Sequence, residues 1–178
     1  MCSQPTVRPV RALIYPALLT LSLSAACASP SATVYLVRHA EKAPDPGDGN
    51  PELSEAGHAR AKALARTLAD VPLQAVITTE LVRTQQTAAP TVRAHQLTPE
   101  VITSADIAGL AQRLKAVPPG QRVLVVGHSH TIPELMRRLG HSDVKVDSGD
   151  YDDVWVLTVG GSTVRSDRLH IGPPGRQD

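Results

Sequence analysis

The sequence predicts an α/β fold, a three-layer sandwich in which helices cover both faces of a mostly parallel central sheet, followed by a C-terminal β-hairpin. Short, almost wholly apolar runs rich in β-branched residues recur along the chain, as expected of buried strands. Segments whose apolar residues have helical spacing alternate with these runs. Such alternation favours a layered fold with a largely parallel sheet. Near the C-terminus, two strand-like runs flank a Gly-Gly pair, which is typical of a hairpin.

The individual elements follow from local patterns. Strands are predicted over residues 33–37, 75–78, 101–102 and 123–126, and the hairpin strands over 154–159 and 162–169. Helices are predicted over residues 54–69, 80–88, 106–117 and 131–139. Ser54 is the expected N-cap of the first helix, and Pro118-Pro119-Gly120 ends the third. Residues 43–52 are rich in Pro and Gly and are expected to form a loop.

Length and composition indicate one globular domain without internal repeats. The chain has 178 residues, of which 42% are hydrophobic and 20% charged. It contains three Tyr, one Trp and no Phe, so the core must consist mainly of Ala, Val, Leu and Ile. The formal net charge of +1 provides no basic field, and no basic stripe is interleaved with aromatic residues. We therefore do not expect a nucleic-acid partner.

Residues 1–28 are predicted to be a signal peptide. Two arginines, Arg8 and Arg11, precede an apolar run of 15 residues at 12–26, followed by small residues. A membrane-spanning helix needs about 20 residues, so this run is too short to be one. Removing the segment leaves 16 basic and 17 acidic side chains, a net charge of −1. The protein is therefore expected to be exported to the periplasm or cell envelope.

Two cleavage products are compatible with the sequence around Cys27. Ala26-Cys27-Ala28 fits the small-x-small rule of ordinary signal peptidase, whereas Ser24-Ala25-Ala26-Cys27 resembles a bacterial lipobox. In the second case Cys27 would carry a lipid, and this lipid would be the protein's membrane contact. The other cysteine, Cys2, lies inside the signal, so no intrachain disulfide is expected.

Polar residues that suit phosphate chemistry follow three of the buried strands. Arg38 and His39 follow the first, Arg83 lies one turn beyond the second, and His128 follows the strand at 123–126. Ligands in open α/β sheets bind beyond the carboxyl ends of the strands, so these groups would converge if the strands are neighbours. Guanidinium groups match phosphate oxygens, and a neutral imidazole can attack phosphorus.

These segments resemble the histidine phosphatase superfamily, in its phosphoglycerate-mutase-like branch. The resemblance lies in Leu36-Val37-Arg38-His39-Ala40-Glu41, in residues 79–88 and in Val125-Val126-Gly127-His128-Ser129, which occur in the family's order. It spans about residues 33–169, so residues 29–178 are expected to form a histidine phosphatase domain. One departure is Ala40, at a position where the family more often has Gly and admits both.

The resemblance implies a role for each matching residue. His39 would accept the phosphoryl group as a phosphohistidine, Arg38, Arg83 and His128 would bind its oxygens, and water would release phosphate. It implies neither a metal nor another cofactor. The expected function is a metal-independent phosphomonoester hydrolase, acting on a small phosphomonoester or a phosphorylated envelope component.

The family usually supplies a carboxylic acid that protonates the leaving group, although some small members lack it. Glu80 and Asp106 are the candidates here, and we favour Glu80. It precedes Arg83 by three residues, and residues three apart share a helix face. The other interpretation is that Glu80 only stabilises a helix N-terminus, where the macrodipole favours a carboxylate.

Two other functions remain open at the level of sequence. A metallohydrolase could use His39, His128, His130 and an acidic residue, but no complete ligand set occurs at known spacing. A non-catalytic envelope protein could keep the fold to bind phosphate. His130 could be a rim or a surface residue. A mutase is disfavoured because the loop at 43–52 is too short to form much of a lid.

Overall fold

The computed structural model describes residues 31–141, 144–147, 149–160 and 165–172. It contains six strands: β1 (Ala32–Arg38), β2 (Ala75–Thr78), β3 (Glu100–Val101), β4 (Arg122–Gly127), β5 (Asp153–Val159) and β6 (Arg165–His170). Its helices are α1 (Glu55–Thr67), α2 (Val82–His95), α3 (Ile107–Lys115) and α4 (Thr131–Arg138). The predicted signal peptide, including Cys27, lies outside the described residues. Across the described residues, every helix is too short or too polar to cross a bilayer.

The six strands form one mixed sheet in the order β3-β2-β4-β1-β5-β6. The first four strands in this order run parallel to one another, and β5 is antiparallel to β1. Strand β6 pairs antiparallel with β5, which confirms the predicted C-terminal hairpin, although residues 161–164 of its turn are outside the described part. The α/β prediction is therefore confirmed. Because β4 lies between β1 and β2, the carboxyl ends of these three strands meet at one edge.

Helices pack on both faces of the sheet, as a three-layer sandwich requires. One face carries α3 and α4, and its core includes Leu36, Val125, Leu114 and Ile132. The other face carries α1 and α2, and its core includes Leu64, Val76, Ala88, Leu124 and Val126. Neighbouring residues of β4 thus contribute to opposite faces, which explains why this strand is apolar throughout.

The helix after β2 differs from its predicted bounds at both ends. It begins at Val82 after the N-cap Leu81, so Glu80 precedes the helix rather than lying on it. It also continues through Pro90 to His95. Its buried side includes Ala88 and packs against α1, and this packing outweighs the backbone hydrogen bond that Pro90 cannot donate.

The start of α1 holds the segment that follows His39. Ser54 caps the helix, as predicted, and its hydroxyl accepts the N–H of Gly57 at 3.1 Å. A Cβ atom at Gly57 would lie 2.1 Å from the carbonyl oxygen of Glu41. The glycine therefore permits close contact between the helix and the backbone near His39. The Glu41 carboxylate also accepts hydrogen bonds from the buried Arg60 guanidinium, the shortest at 2.6 Å.

Candidate active site

Arg38 and His39 lie where β1 ends beside β4. Arg38 is the last residue of β1 and is in register with Gly127, the last residue of β4. The backbone N–H of His39 donates to the carbonyl oxygen of Gly127 at 2.9 Å. Both side chains are almost fully buried. The parallel pairing of β1 and β4 thus places His39 next to His128, the residue that follows Gly127.

The hydrogen bond of the His39 ring defines its chemistry. Its Nδ1 lies 2.8 Å from the carbonyl oxygen of Ala40. A carbonyl only accepts, so Nδ1 carries the proton and Nε2 retains a lone pair. Burial lowers the pKa of His39 to about 3, and the charges of Arg38 and Arg83 contribute to this shift despite the opposing Ala40 hydrogen bond. His39 is therefore a neutral imidazole at physiological pH, with one basic nitrogen.

The second histidine is packed against the first. The ring centroids of His39 and His128 are 5.4 Å apart, and His128 is only 2% exposed. Its Nε2 lies 3.0 Å from the Thr79 hydroxyl oxygen. Burial lowers the pKa of His128 to about 4, and the charge of Arg83 adds to the effect. Both histidines are thus neutral in the folded protein at physiological pH.

Buried polar atoms of Arg83 and His128 have no hydrogen-bond partner within the described ranges. These atoms are Nε and Nη1 of Arg83 and Nδ1 of His128. A buried donor without a partner is costly, because it has given up water without replacement. A tetrahedral oxyanion would provide several acceptors at once, and the positive guanidinium would favour its charge. The arrangement is therefore suited to hold phosphate.

Arg38 is held by the segment that precedes β5. Its Nη1 donates to the carbonyl oxygens of Asp147 at 2.9 Å and Asp150 at 3.3 Å, and its Nη2 lies 3.3 Å from the Tyr151 hydroxyl. Its guanidinium carbon also lies 4.1 Å from the centroid of the Tyr151 ring, which favours a cation. Burial lowers the pKa of Arg38 from its ordinary value. The guanidinium remains charged, because arginine does not deprotonate in proteins.

Three further residues support the site and were not identified from the sequence. Thr87 accepts the N–H of Ala40 at 2.9 Å and donates to the Arg83 carbonyl at 2.7 Å, which ties the end of β1 to α2. Thr79 contacts His128. Tyr151 contacts Arg38, and its ring centroid is 6.1 Å from that of His39. Both threonines lie within the 79–88 segment, but the sequence contains no comparable signal for Tyr151.

Both candidate acids accept hydrogen bonds from other residues of the protein. The Glu80 carboxylate accepts the N–H and the hydroxyl of Ser104, both at 2.7 Å. Desolvation would raise the pKa of Glu80, but the Ser104 hydrogen bonds outweigh it and hold this pKa below its ordinary value. Asp106 caps α3 by accepting the N–H of Gly109 at 2.8 Å. The helix-face argument for Glu80 was wrong, because Glu80 precedes α2, yet its charge is close enough to act on His128.

The histidines considered as metal ligands do not converge on one point. The rings of His128 and His130 are stacked, with centroids 5.5 Å apart and an angle of 13° between their planes. Stacked rings direct their nitrogen lone pairs side by side rather than at a shared ion. In the part of the chain that the structure describes, the ligand atoms close enough to share a metal belong to Asp152, Asp153 and His170. The Asp153 carboxylate there is already paired with Arg168.

A protein-family model matches part of the chain. The model of the histidine phosphatase superfamily (branch 1) matches residues 34–108, which include Arg38, His39 and Arg83. No curated protein sequence matches the chain.

Solved structures share the fold at low sequence identity. A tungstate complex of the protein histidine phosphatase SixA is 20% identical, with a TM-score of 0.64, over 78% of this chain and 96% of that one. A mycobacterial glucosyl-3-phosphoglycerate phosphatase is 17% identical, with a TM-score of 0.60, over 78% and 97%. A mycobacterial hydrolase is also 17% identical, with a TM-score of 0.60, over 84% and 94%.

Identities this low establish a common fold, and the sequence similarity to a family covers residues 34–108. The matched segment contains the Arg38-His39 pair and Arg83, and the strand order brings His128 beside them. Residues 34–108 of this chain are therefore similar to the histidine phosphatase superfamily, and this match together with the shared fold indicates a phosphatase.

Proposed function

We propose that this protein hydrolyses phosphomonoesters without a metal, through a phosphohistidine on His39. The observation that carries the proposal is the state of the His39 ring. Its Nδ1 is bound to the carbonyl of Ala40, so Nε2 is a basic nitrogen beside buried cationic and polar groups. A neutral nitrogen nucleophile in a pocket suited to an oxyanion is what transfer of a phosphoryl group to histidine requires.

The reaction would proceed in two displacements at phosphorus. In the first, the lone pair of His39 Nε2 forms the N–P bond while the bond from phosphorus to the leaving oxygen breaks. In the second, water forms a new O–P bond and loses a proton, while the N–P bond breaks and phosphate leaves. Arg38, Arg83 and His128 would stabilise the phosphoryl oxygens in both transition states.

The first displacement leaves an alkoxide unless a proton is supplied. We propose Glu80 as the acid, because its charge acts on His128 and it lies next to Thr79, which contacts that ring. In the structure the Glu80 carboxylate is bound to Ser104 and favours its ionised form. It would therefore have to exchange these hydrogen bonds for a proton and a contact with the leaving oxygen. Asp106 is the alternative.

The substrate is proposed only as a class. One of the similar structures is a protein histidine phosphatase and another is a glucosyl-3-phosphoglycerate phosphatase, so the fold accommodates protein and small-molecule substrates. Residues 43–49 near the site are mostly exposed and contain no helix. An open rim of this kind is compatible with a small phosphomonoester or with a phosphorylated envelope component.

We further propose that the protein acts outside the cytoplasm. The proposal is supported by Arg8 and Arg11, the apolar run that follows them and the small residues around Cys27. An envelope component would then be accessible as substrate. A lipid on Cys27 would hold the enzyme at the membrane surface.

The proposed activity is tested by turnover of a panel of phosphomonoesters that includes p-nitrophenyl phosphate. We expect hydrolysis that is unchanged by a chelator. Chelator-sensitive turnover would instead favour a metallohydrolase, and the absence of turnover on the whole panel would favour a phosphate-binding protein.

A further inference from the structure

We infer that Thr79 is a positioning residue that fixes the tautomer of His128, so that Nδ1 of this ring donates a hydrogen bond to the bound phosphoryl group. The inference rests on the proposed function in one respect, which is that the ligand of this site is an oxyanion. It concerns a residue that contacts the Nε2 side of the His128 ring and does not bind the substrate.

Three buried side chains form the structural basis of this inference. The Thr79 hydroxyl oxygen is 3.0 Å from His128 Nε2 and 3.0 Å from the Thr84 hydroxyl oxygen. Thr79 is 6% exposed, and Thr84 is fully buried. The other ring nitrogen of His128, Nδ1, is buried and has no partner among the described residues. His128 thus has one nitrogen bound to a threonine and one nitrogen available to a ligand.

The ligand determines which nitrogen must carry the proton. A neutral imidazole has a single N–H, and a phosphoryl oxygen bearing negative charge is only an acceptor. The nitrogen that faces it must therefore be Nδ1–H. The opposite nitrogen, Nε2, then has a bare lone pair and needs a donor. The Thr79 hydroxyl is the donor in contact with it.

The surrounding hydrogen bonds can support this arrangement without leaving any group unsatisfied. Thr84 can donate its hydroxyl proton to Thr79, because its two other acceptors receive other donors. The Leu81 carbonyl accepts the backbone N–H of Thr84 at 3.0 Å, and the Thr79 carbonyl accepts Gln85 Nε2–H at 3.3 Å. Thr79 also accepts the N–H of Leu81 at 3.3 Å. The Thr84 oxygen accepts the N–H of Thr79 at 3.1 Å. The donors then run in one direction, from Thr84 through Thr79 to His128 Nε2.

The opposite direction is also possible in the absence of ligand. His128 Nε2–H would donate to Thr79, Thr79 to Thr84, and Thr84 to the Leu81 carbonyl at 2.8 Å. That arrangement would direct a bare Nδ1 at the anion, which is repulsive. Both directions satisfy the threonines, so the bound anion selects the one with Nδ1–H. Rotation of two hydroxyl groups, together with the change of tautomer, interconverts them.

The adjacent threonine provides a matched control. Thr78 is 1% exposed, and its hydroxyl has no hydrogen-bond partner in the described part of the chain. Replacing Thr78 by Val therefore removes a buried hydroxyl from the same strand end without touching His128. Thr79→Val makes the same chemical change one residue later and removes the donor to Nε2. Thr79→Ser keeps that donor and removes only a methyl group.

The experiment measures the protonation of both ring nitrogens of His128 by ¹⁵N NMR on the full-length chain, with tungstate as the phosphate analogue. We expect Nδ1 to carry the proton and Nε2 to be a hydrogen-bonded bare nitrogen in the tungstate complex. Finding the proton on Nε2 alone, or on both nitrogens, would overturn the inference. This result needs no variant and no turnover, so it is independent of whether the protein hydrolyses phosphomonoesters.

The variants test the consequence for binding. Loss of a hydrogen bond to a group that binds a charged ligand should weaken tungstate affinity by about 10- to 100-fold in Thr79→Val. Thr79→Ser should recover most of this affinity, and Thr78→Val should bind tungstate like the unaltered protein. Equal affinity of Thr79→Val and the unaltered protein would contradict a positioning role. Equal losses in Thr78→Val and Thr79→Val would show a general packing effect and would also contradict it.

Discussion

The two nitrogens of His39 have different surroundings, and this difference underlies the proposed mechanism. Nδ1 is fixed by the Ala40 carbonyl, whereas Nε2 has its lone pair available beside Arg38, Arg83 and His128. Burial and positive charge both disfavour the imidazolium form. The proposed nucleophile is therefore present in its active form over a wide range of pH.

The first residue-scale prediction concerns pH. Because His39 has a pKa of about 3 and His128 of about 4, both should be neutral well below the ordinary histidine pKa of about 6.5. Protonation removes the lone pair of His39, so kcat/KM should fall only as the pH approaches about 3. The measurement is kcat/KM against pH, corrected for ionisation of the substrate. NMR titration of the two rings in the ligand-free protein measures the same pKa values directly, and a ring of His39 or His128 titrating near pH 6.5 would contradict this.

The second residue-scale prediction concerns the proposed acid. Glu80→Gln should slow hydrolysis of an alkyl phosphate by about 10²- to 10⁴-fold. It should slow p-nitrophenyl phosphate far less, because nitrophenolate leaves without a proton. Rates for both substrates are compared in the same variant, with His39→Ala as the control that abolishes both. If Glu80→Gln slows the two substrates equally, Glu80 is not the acid, and Asp106→Asn becomes the next variant to measure.

At the scale of elements, the apolar runs predicted the strands well because buried parallel strands are apolar on both faces. Strand β4 illustrates this, since its residues contribute to both cores. The start of α2 was predicted less well, because the Thr79 hydroxyl accepts the N–H of Leu81 before the helix begins, and the Glu80 carboxylate binds the distant Ser104. Residue types that suit a helix also suit such a turn. The periodicity of residues 80–88 could not distinguish the two.

A glycine in α1 tests the contact between that helix and the segment after His39. Gly57→Ala should improve helix propensity by about 1 kcal/mol, but its Cβ would lie 2.1 Å from the Glu41 carbonyl oxygen. We expect the clash to prevail, with a net loss of roughly 1–3 kcal/mol in the free energy of unfolding and a lower kcat. Chemical denaturation and turnover measure the two effects.

The control for this variant is Ala59→Gly, at an exposed position of the same helix. It should cost about 1 kcal/mol through propensity alone and leave kcat unchanged. A Gly57→Ala protein more stable than the unaltered chain would show that the contact with Glu41 is not restrictive.

At the scale of the whole molecule, the site depends on strand order. The sequence placed Arg38, His39, Arg83 and His128 at strand ends, but their convergence required β4 to lie between β1 and β2. That order is set by the pairing of strands that are distant in the sequence, so the hydrophobic pattern of each segment cannot predict it. Tyr151 shows the same limit, because it reaches Arg38 only through the antiparallel pairing of β5 with β1. Nothing in the residues around Tyr151 indicates that pairing.

Location is the other property of the whole molecule that can be tested. We predict that the mature protein begins at Cys27 or Ser29 and lies outside the cytoplasm. N-terminal sequencing and cell fractionation measure both. Cys27→Ser distinguishes the products, since it would release a lipoprotein from the membrane fraction and leave a soluble periplasmic protein unchanged. Unprocessed full-length chain in the cytosol would refute export.

Capture of the covalent intermediate tests the central claim most directly. The protein is mixed with a ³²P-labelled phosphomonoester, quenched within its first turnover and digested, and the labelled peptide is sequenced. We predict phosphate on His39, in a linkage that is labile to acid and stable to base, and none in His39→Ala. Label on another residue, or near-normal turnover by His39→Ala, would contradict the mechanism.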